Sequence, residues 1–166
     1  MRAVEWGDSV AIRYLIKRYA SNEIGQDVNS EGDSLFHVAI RHNRINALST
    51  LLNAKLNGDE SAHAQSFLNY VTNEEDENPL FYAVKDGNYR AVELLLRAGM
   101  NSNQVDGYNK TPLIWAVIGQ KYDIANLLLH HGADAYGKDK TSGVSALHYA
   151  AGSVEVFKKF YFVTFG

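Results

Sequence analysis

The sequence contains no cysteine, and its 166 residues include only two prolines and 13 glycines. Without cysteine the chain has no disulfide framework and no thiolate for zinc binding, redox chemistry or nucleophilic attack, so we expect a reducing, cytoplasmic setting. The shortage of proline excludes collagen-like and proline-rich low-complexity classes. The glycines recur at corresponding places along the chain, and we therefore expect them to punctuate regular structure.

Long apolar runs and an excess of basic charge are also missing. The longest apolar run, Pro112 to Gly119, is far shorter than the roughly 20 residues needed to cross a bilayer. Glu5, Asp8 and Arg13 stand where a secretory signal needs an uninterrupted apolar region. The net charge is −3, whereas strong nucleic-acid binding needs a basic surface. We expect neither a membrane nor a nucleic acid as partner.

An internal repeat is what the sequence does contain. Residues 111–134 begin TPLIWAV and align without a gap to residues 78–101, which begin NPLFYAV, at an offset of 33 residues. Both copies carry a triple leucine near their end. The pattern returns as SLFHVAI at residues 34–40 and as SALHYAA at residues 145–151. The alanine of the motif recurs at intervals of 44, 33 and 34 residues, at Ala39, Ala83, Ala116 and Ala150.

These copies resemble the ankyrin repeat, which has a 33-residue period and a T-P-L-H-x-A signature, and the resemblance covers nearly the whole chain. It implies an all-α ankyrin-repeat solenoid in which each repeat has two antiparallel helices and a protruding hairpin loop. No catalytic, metal or cofactor site is implied. A single domain, residues 1–166, is predicted to comprise an N-terminal capping half-repeat and loop (1–32), repeats at 33–77, 78–110 and 111–144, and an irregular C-terminal repeat (145–166).

The residues of each copy independently favour a helix that begins at the motif. Ser34, Thr111 and Ser145 are suitable N-caps. Pro79 and Pro112 occupy the first helical position, where a missing N–H costs nothing. We predict that the first helices begin near Ser34, Asn78, Thr111 and Ser145.

The second half of each copy predicts an amphipathic helix with a defined end. Val92, Leu95 and Leu96 form an i, i+3, i+4 apolar stripe. Gly99 and Gly132 are expected to end their helices in the left-handed conformation. A single repeat on its own would leave its apolar face exposed, so stability is expected to come from the stacking of repeats.

One departure from the repeat is an 11-residue excess within residues 55–77. It is interpreted either as an extra helical piece with a specific function or as a tolerated, lengthened loop. At its end, Glu74 to Glu77 lack the ligand spacing and central glycine of a calcium loop. They predict a solvated hairpin tip that projects from the stack.

Two further departures concern the last repeat and the signature histidine. The aromatic run Phe157 to Phe165 stands where a terminal repeat normally has a polar face, so the tail is expected either to fold onto the last repeat or to belong to a larger protein. The histidine is present at His37 and His148 but replaced by Phe81 and Ile114. In the family it ties hairpin to helix, so weaker ties are expected in the middle repeats.

Motifs for catalysis or metal binding are not found. The sequence has no Gly-rich phosphate loop, no G-x-S-x-G and no H-E-x-x-H. His130 and His131 are neighbours, and on a helix their side chains diverge by about 100°, so they cannot chelate one ion together. Tyr82, Trp115 and Tyr149 share one motif position, where packing between repeats is favoured over a base-stacking role.

The resemblance implies a non-enzymatic scaffold that binds a partner protein through hairpin tips and the concave surface of the first helices. Tyr108 is the aromatic residue best suited to anchor it, and acidic Glu74 and Glu75 are expected to attract a basic patch. By register, the predicted partner-binding residues are Ser30, Glu31, Asp33, Arg41, His42, Glu74, Glu75, Glu77, Lys85, Asp86, Tyr108, Lys110, Ile118, Thr141 and Ser142.

A second hypothesis makes the chain a targeting or regulatory segment of a larger enzyme or of a secreted bacterial effector acting in a host cytosol. The aromatic C-terminus is the feature that points to it. A complete small enzyme, the third hypothesis, has only scattered polar residues behind it. We expect a monomer unless the aromatic C-terminus self-associates.

Overall fold

The computed structural model describes residues 2–18, 28–58, 71–73, 76–138, 142–152, 157–158 and 161. Within these ranges the regular structure is helical, joined by hairpins with two isolated β-bridges and no strand. The helices are α1 (Arg2–Trp6), α2 (Ser9–Arg18), α3 (Leu35–Arg41), α4 (Ile45–Gly58), α5 (Pro79–Asp86), α6 (Tyr89–Arg97), α7 (Pro112–Ile118), α8 (Tyr122–His130) and α9 (Ala146–Ala151).

The helices form two layers that follow the repeats. The first helices α1, α3, α5, α7 and α9 contact one another in succession, and the second helices α2, α4, α6 and α8 do the same. Within each repeat the first helix also packs on the second. This nearest-neighbour stacking is the arrangement of a solenoid, and it confirms the fold predicted from the repeat.

The first helices begin where the sequence predicts. The N-cap residues, each with an extended backbone, are Ser34, Asn78, Thr111 and Ser145. Asn78 and Thr111 accept backbone N–H groups through their side chains, and Pro79 and Pro112 follow them at the first helical position. The caps satisfy donors that a helix start would otherwise leave without a partner.

The second helices end at a left-handed glycine. Gly99 and Gly132 have φ values of 87° and 82°. The N–H of Met100 then donates to the carbonyl of Leu95 at 3.2 Å, and an equivalent 3.0 Å bond follows Gly132. Glycine tolerates this conformation because it has no Cβ, and the predicted role of both residues is confirmed.

One hydrophobic core runs through the stack. The motif alanines are fully buried where neighbouring first helices meet, as are Leu95 and Leu128 on the second helices. Val4 and Ile12 lie in the same cluster, so the N-terminal helices extend the stack. Small residues permit the close approach of the helices, and burial of the leucines stabilises the contact between layers.

The hairpins between repeats are built on a recurring side-chain acceptor that the sequence analysis did not single out. Asn29, Asn73 and Asp106 each lie five residues before an N-cap. The Oδ1 atom of each accepts the backbone N–H four residues later, at 2.8, 3.0 and 2.9 Å respectively. A residue with a left-handed backbone lies two positions before each of the four caps: Gly32, Asp76, Asn109 and Gly143. In the sequence, an Asn or Asp followed three positions later by Gly, Asn or Asp could have predicted these turns.

The two irregular segments lie largely outside the described residues. Helix α4 has 14 residues, whereas α6 and α8 have nine, so the excess of residues 55–77 begins as an elongation of the second helix. Its predicted helical piece, residues 62–71, lies outside the described residues except for Val71. In the aromatic tail, Phe157 and Tyr161 are described, and both rings are partly exposed.

Candidate partner-binding surface

Most of the residues predicted to bind a partner lie at the surface. Those whose side chains are exposed are Ser30, Glu31, Arg41, His42, Asp86, Tyr108, Ile118 and Ser142. Lys85 and Lys110 are half-buried, and Tyr108 is 56% exposed. Glu74, Glu75 and Thr141 fall outside the described residues.

Asp33 and Glu77 correct the prediction, because they are 1% and 3% exposed. Each precedes an N-cap and turns its carboxylate to a cation eight residues later. Asp33 pairs with Arg41 at 2.6 Å, and Glu77 pairs with Lys85. These two acids therefore hold surface cations in place instead of contacting a partner. The predicted solvated tip is wrong at Glu77 for the same reason.

Arg41 is the centre of the first such arrangement. Its guanidinium pairs with Glu31 and Asp33, and its Nε–H donates to the hydroxyl of Tyr82 at 2.8 Å. It also lies 5.6 Å from the centre of the Tyr82 ring. The hydrogen bond to Glu31 raises the pKa of Arg41, which keeps it charged. The cation of one repeat thus rests on the aromatic residue of the next.

His37 makes the tie that the family resemblance implies. Its Nδ1 accepts from the backbone N–H of Ser34 at 3.2 Å and lies 2.8 Å from the Ser34 hydroxyl, while Nε2–H donates to the carbonyl of Glu77 at 2.9 Å. Burial lowers the pKa of His37 to about 4, an effect that Asp33 opposes and Arg41 reinforces. At neutral pH the ring is therefore uncharged and joins one helix to the next hairpin.

The repeat that begins at Thr111 replaces this tie with a different one. Ile114 stands at the histidine position and is buried, but the indole N–H of the following residue, Trp115, donates to Oδ2 of Asp106 at 2.6 Å. This bond joins α7 to the hairpin that precedes it, whereas the bond from His37 joins α3 to the hairpin that follows it. Asp106 also accepts the backbone N–H groups of Tyr108 and Lys110 through Oδ1, at 3.0 and 2.9 Å.

Four side chains from two neighbouring repeats meet above this hairpin: Lys85, Tyr108, Lys110 and Trp115. We call them the lysine–aromatic cluster. Tyr108 packs edge to face on Trp115, with ring centres 6.5 Å apart and an interplanar angle of 78°. The Lys85 ammonium lies 4.1 Å from the centre of the Trp115 ring, and that of Lys110 lies 5.8 Å from it. Both are also within cation–π range of Tyr108, at 5.7 and 5.9 Å.

The two arrangements follow one rule of register. An acid precedes the cap, a base lies seven residues after the cap, and the aromatic residue of the next repeat supports that base. Tyr82 and Trp115 are partly buried against the core, which confirms their predicted packing role, and they also carry the cations. The rule does not hold at the next cap, Thr111. Lys110 stands there in place of the acid, and Ile118 stands in place of the base.

The histidine pair, metal sites and membrane-spanning segments were also considered from the sequence. His130 and His131 are exposed, and Nδ1–H of His130 donates to the carbonyl of Asn126 at 2.8 Å. In the described part of the chain, no group of three or more His, Asp or Glu side chains is placed to hold a metal ion. None of the helices there combines the length and the apolar character that a bilayer-spanning segment requires.

Comparison with known proteins gives consistent matches to one family. A sequence model described as ankyrin repeats, in three copies, matches residues 54–139. The B-cell lymphoma 3 protein homolog of Mus musculus is 33% identical over 126 residues, which are 75% of this chain and 26% of that protein. Ankyrin repeat and SOCS box protein 6 of Homo sapiens is 34% identical over 116 residues, 69% of this chain and 25% of that protein.

A shorter match involves a protein whose name describes an enzyme. The 2-5A-dependent ribonuclease of Mus musculus is 42% identical over 67 residues, which are 40% of this chain and 9% of that protein. This chain spans about a quarter or less of the length of these relatives. With its repeat period, helix pairs and hairpins established, the chain belongs to the ankyrin-repeat family, whose repeats imply a module for protein–protein interaction.

Proposed function

We propose that the chain is a non-enzymatic module that holds a partner protein along its hairpin tips and first helices. The lysine–aromatic cluster is the observation that carries this proposal, because it places the exposed Tyr108 among two cations and an indole at the surface. Aromatic side chains that can be desolvated at the centre of a contact supply much of the energy of protein interfaces.

The cluster is ordered before any partner arrives. Asp106 fixes the backbone at Tyr108 and Lys110 and holds the Trp115 indole, while Glu77 holds Lys85. Side chains held in this way lose less conformational freedom on binding, so more of the contact energy is available for affinity. Aromatic rings held in place beside lysine ammonium groups suit the binding of a partner. Catalysis would instead need side chains that are free to exchange protons.

The other exposed residues on the same face are proposed as the rim of the contact. Around Arg41 these are Ser30, Glu31 and His42, and towards the later repeats they are Asp86, Ile118 and Ser142. Glu74, Glu75 and Thr141, which lie outside the described residues, stay predicted members of the contact from their register in the sequence. Rim residues exclude water from the centre and contribute little energy individually.

The test is to select binders from a display library of protein fragments and to measure them on two variants of the full chain. We expect Tyr108→Ala to weaken binding by about tenfold or more, mainly by faster dissociation. The control is Tyr89→Ala, which removes an exposed tyrosine at the start of α6. Hydrogen exchange should show protection in residues 106–118. Equal affinity of both variants, or protection confined to Phe157 and Tyr161, would reject this surface.

A second candidate function is regulation or targeting of an enzyme domain in a longer protein. It rests on the match to 2-5A-dependent ribonuclease, which covers 9% of that protein, and on the exposed rings of Phe157 and Tyr161, 5.9 Å apart. This proposal predicts that binders protect the two tail rings and leave the first-helix face open, so the same exchange experiment separates the two functions.

A further inference from the structure

We infer that the lysine–aromatic cluster recognises an acidic segment of a partner protein, in which a carboxylate side chain is flanked by an apolar one. The inference rests on the proposed function and specifies its partner chemistry. It reverses the basic partner expected from the sequence, which assumed acidic hairpin tips.

The first step is the convergence of two ammonium groups on one pair of rings. Lys85 belongs to α5, and Lys110 belongs to the hairpin that leads to the next repeat, yet both lie within cation–π range of Trp115 and Tyr108. The electron-rich faces of aromatic rings attract ammonium groups at these distances. Both ammonium groups therefore lie 4.1 to 5.9 Å from the same two ring centres, and a ligand that contacts these rings comes near both charges.

The second step is that the two acids bonded to members of the cluster, Glu77 and Asp106, are withdrawn from solvent. Glu77 is paired with Lys85 and buried, and Asp106 is 5% exposed. Both Asp106 oxygens are engaged by N–H donors, from Tyr108, Lys110 and the Trp115 indole. Their charges moderate the positive potential but cannot themselves meet a ligand. Among the cluster and the two acids bonded to it, the accessible charges are therefore those of the two ammonium groups.

The third step is that Lys110 lacks an ion-pair partner among the acids that the structure describes. In the two preceding repeats, its position before the cap is taken by Asp33 and Glu77, each of which neutralises a cation of the first helix. Among the described residues, no carboxylate forms an ion pair with Lys110. A carboxylate of the partner would take the place of the acid that the earlier repeats have at this position. It would accept hydrogen bonds from the Lys110 ammonium, which has three N–H donors.

The fourth step is the apolar neighbour. Ile118 lies three residues after Trp115 on α7, so the two side chains share one helix face, and Ile118 is 41% exposed. Together with the outer face of Tyr108, it offers an apolar patch beside the cations. A peptide that carries an acidic and an apolar side chain fits both parts, whereas a basic segment would bring a third positive charge to the lysines.

The experiment starts with a library of random peptides displayed on phage and selected on the full chain. We expect the enriched peptides to be rich in Asp and Glu next to apolar residues. For these peptides, Lys110→Glu should weaken binding by at least about tenfold, because it places like charges together. Lys110→Arg should retain affinity within about threefold, since the positive charge is kept.

The matched control is Arg13→Glu, which changes the net charge equally at an exposed site on α2. It should leave affinity within about twofold, whereas a general electrostatic effect would lower affinity in both variants alike. A second readout, the indole N–H resonance of Trp115, should shift on binding of the acidic peptide. Circular dichroism verifies that each variant is folded.

The outcomes distinguish this inference from the proposed function. Enrichment of basic or uncharged peptides that depend on Tyr108 would overturn the acidic partner and leave the protein-binding face intact. Peptides insensitive to both Tyr108→Ala and Lys110→Glu, or no enriched peptide at all, would overturn both proposals. Tighter binding of an RNA oligonucleotide than of any acidic peptide would also overturn the inference.

Discussion

At the scale of single residues, the surface depends on carboxylates that folding removes from water. Glu77 is 3% exposed, and its partner Lys85 is only partly covered. A buried carboxylate that has lost its cation is neither hydrated nor paired. Removing the cation therefore lowers the free energy of unfolding by more than the ion pair contributes to it. The same reasoning applies to Asp33 and Arg41, where Glu31 and Tyr82 share the guanidinium.

We therefore predict that Lys85→Met lowers the free energy of unfolding by about 1–3 kcal/mol, because Glu77 then stays buried without a counter-ion. Adding Glu77→Gln should restore a large part of the loss, since a neutral amide costs less to bury. Urea unfolding measures both, with Lys138→Met at an exposed site as the control. If the double variant is less stable than Lys85→Met alone, this account of the pair is wrong.

His37 predicts a pH dependence of stability. Its pKa falls from 6.5 in the unfolded chain to about 4 in the fold, chiefly through burial. The unfolded state therefore binds more protons between these values, and the stability that is present above pH 6.5 is lost as pH falls towards 4. The full loss is on the order of 3 kcal/mol.

The matched variant is His37→Phe, which copies the residue at the equivalent position, Phe81. We expect it to be less stable at neutral pH, since the bonds to Ser34 and Glu77 are lost, but to show a smaller decline on acidification. Urea unfolding at about pH 7.5 and about pH 5 gives both slopes. Equal slopes in the two chains would show that His37 does not titrate as inferred.

At the scale of structural elements, one side chain organises the hairpin that carries Tyr108. We predict that Asp106→Ala costs about 1–3 kcal/mol and speeds hydrogen exchange at the amides of Tyr108 and Lys110, because both lose their Oδ1 acceptor. The matched variant is Asp106→Asn, since asparagine occupies this place in the hairpins of Asn29 and Asn73.

Asparagine keeps one acceptor oxygen, so Asp106→Asn should preserve the two backbone bonds and lose the bond to the Trp115 indole. The indole N–H resonance should therefore move in both variants, whereas the amide protection should fall only in the alanine variant. Loss of protection in both variants would mean that the indole bond, and not the turn, holds the hairpin.

At the scale of the whole molecule, stability depends on contacts between neighbouring repeats. Leu95 and Leu128 are fully buried at equivalent places in the second layer, where α6 and α8 pack together. We predict that Leu95→Ala and Leu128→Ala each lower the free energy of unfolding by about 2–5 kcal/mol through cavity formation. His130→Ala, at an exposed site, should change it little. Thermal or urea unfolding gives the order, and a greater loss for His130→Ala would contradict the register.

The sequence by itself determined the period, the starts of the first helices and the ends of the second helices. Thr111 caps its helix through bonds within four residues, and Gly99 ends a helix through its own backbone freedom. Such features depend on near neighbours along the chain, and repetition makes them visible four times over. The burial of the motif alanines followed as well, because one repeat cannot cover its own apolar face.

Only the tertiary structure decided which charges face the solvent. Asp33 and Glu77 look like loop acids in the sequence, yet stacking places each against a cation eight residues later and removes it from water. Lys85 reaches Trp115 across a repeat boundary, 30 residues along the chain, as the two helices pack. The strength of such electrostatic and aromatic contacts depends on distance in space and on burial, which the sequence of one repeat does not give by itself. The character of the surface therefore emerges only when the repeats are stacked.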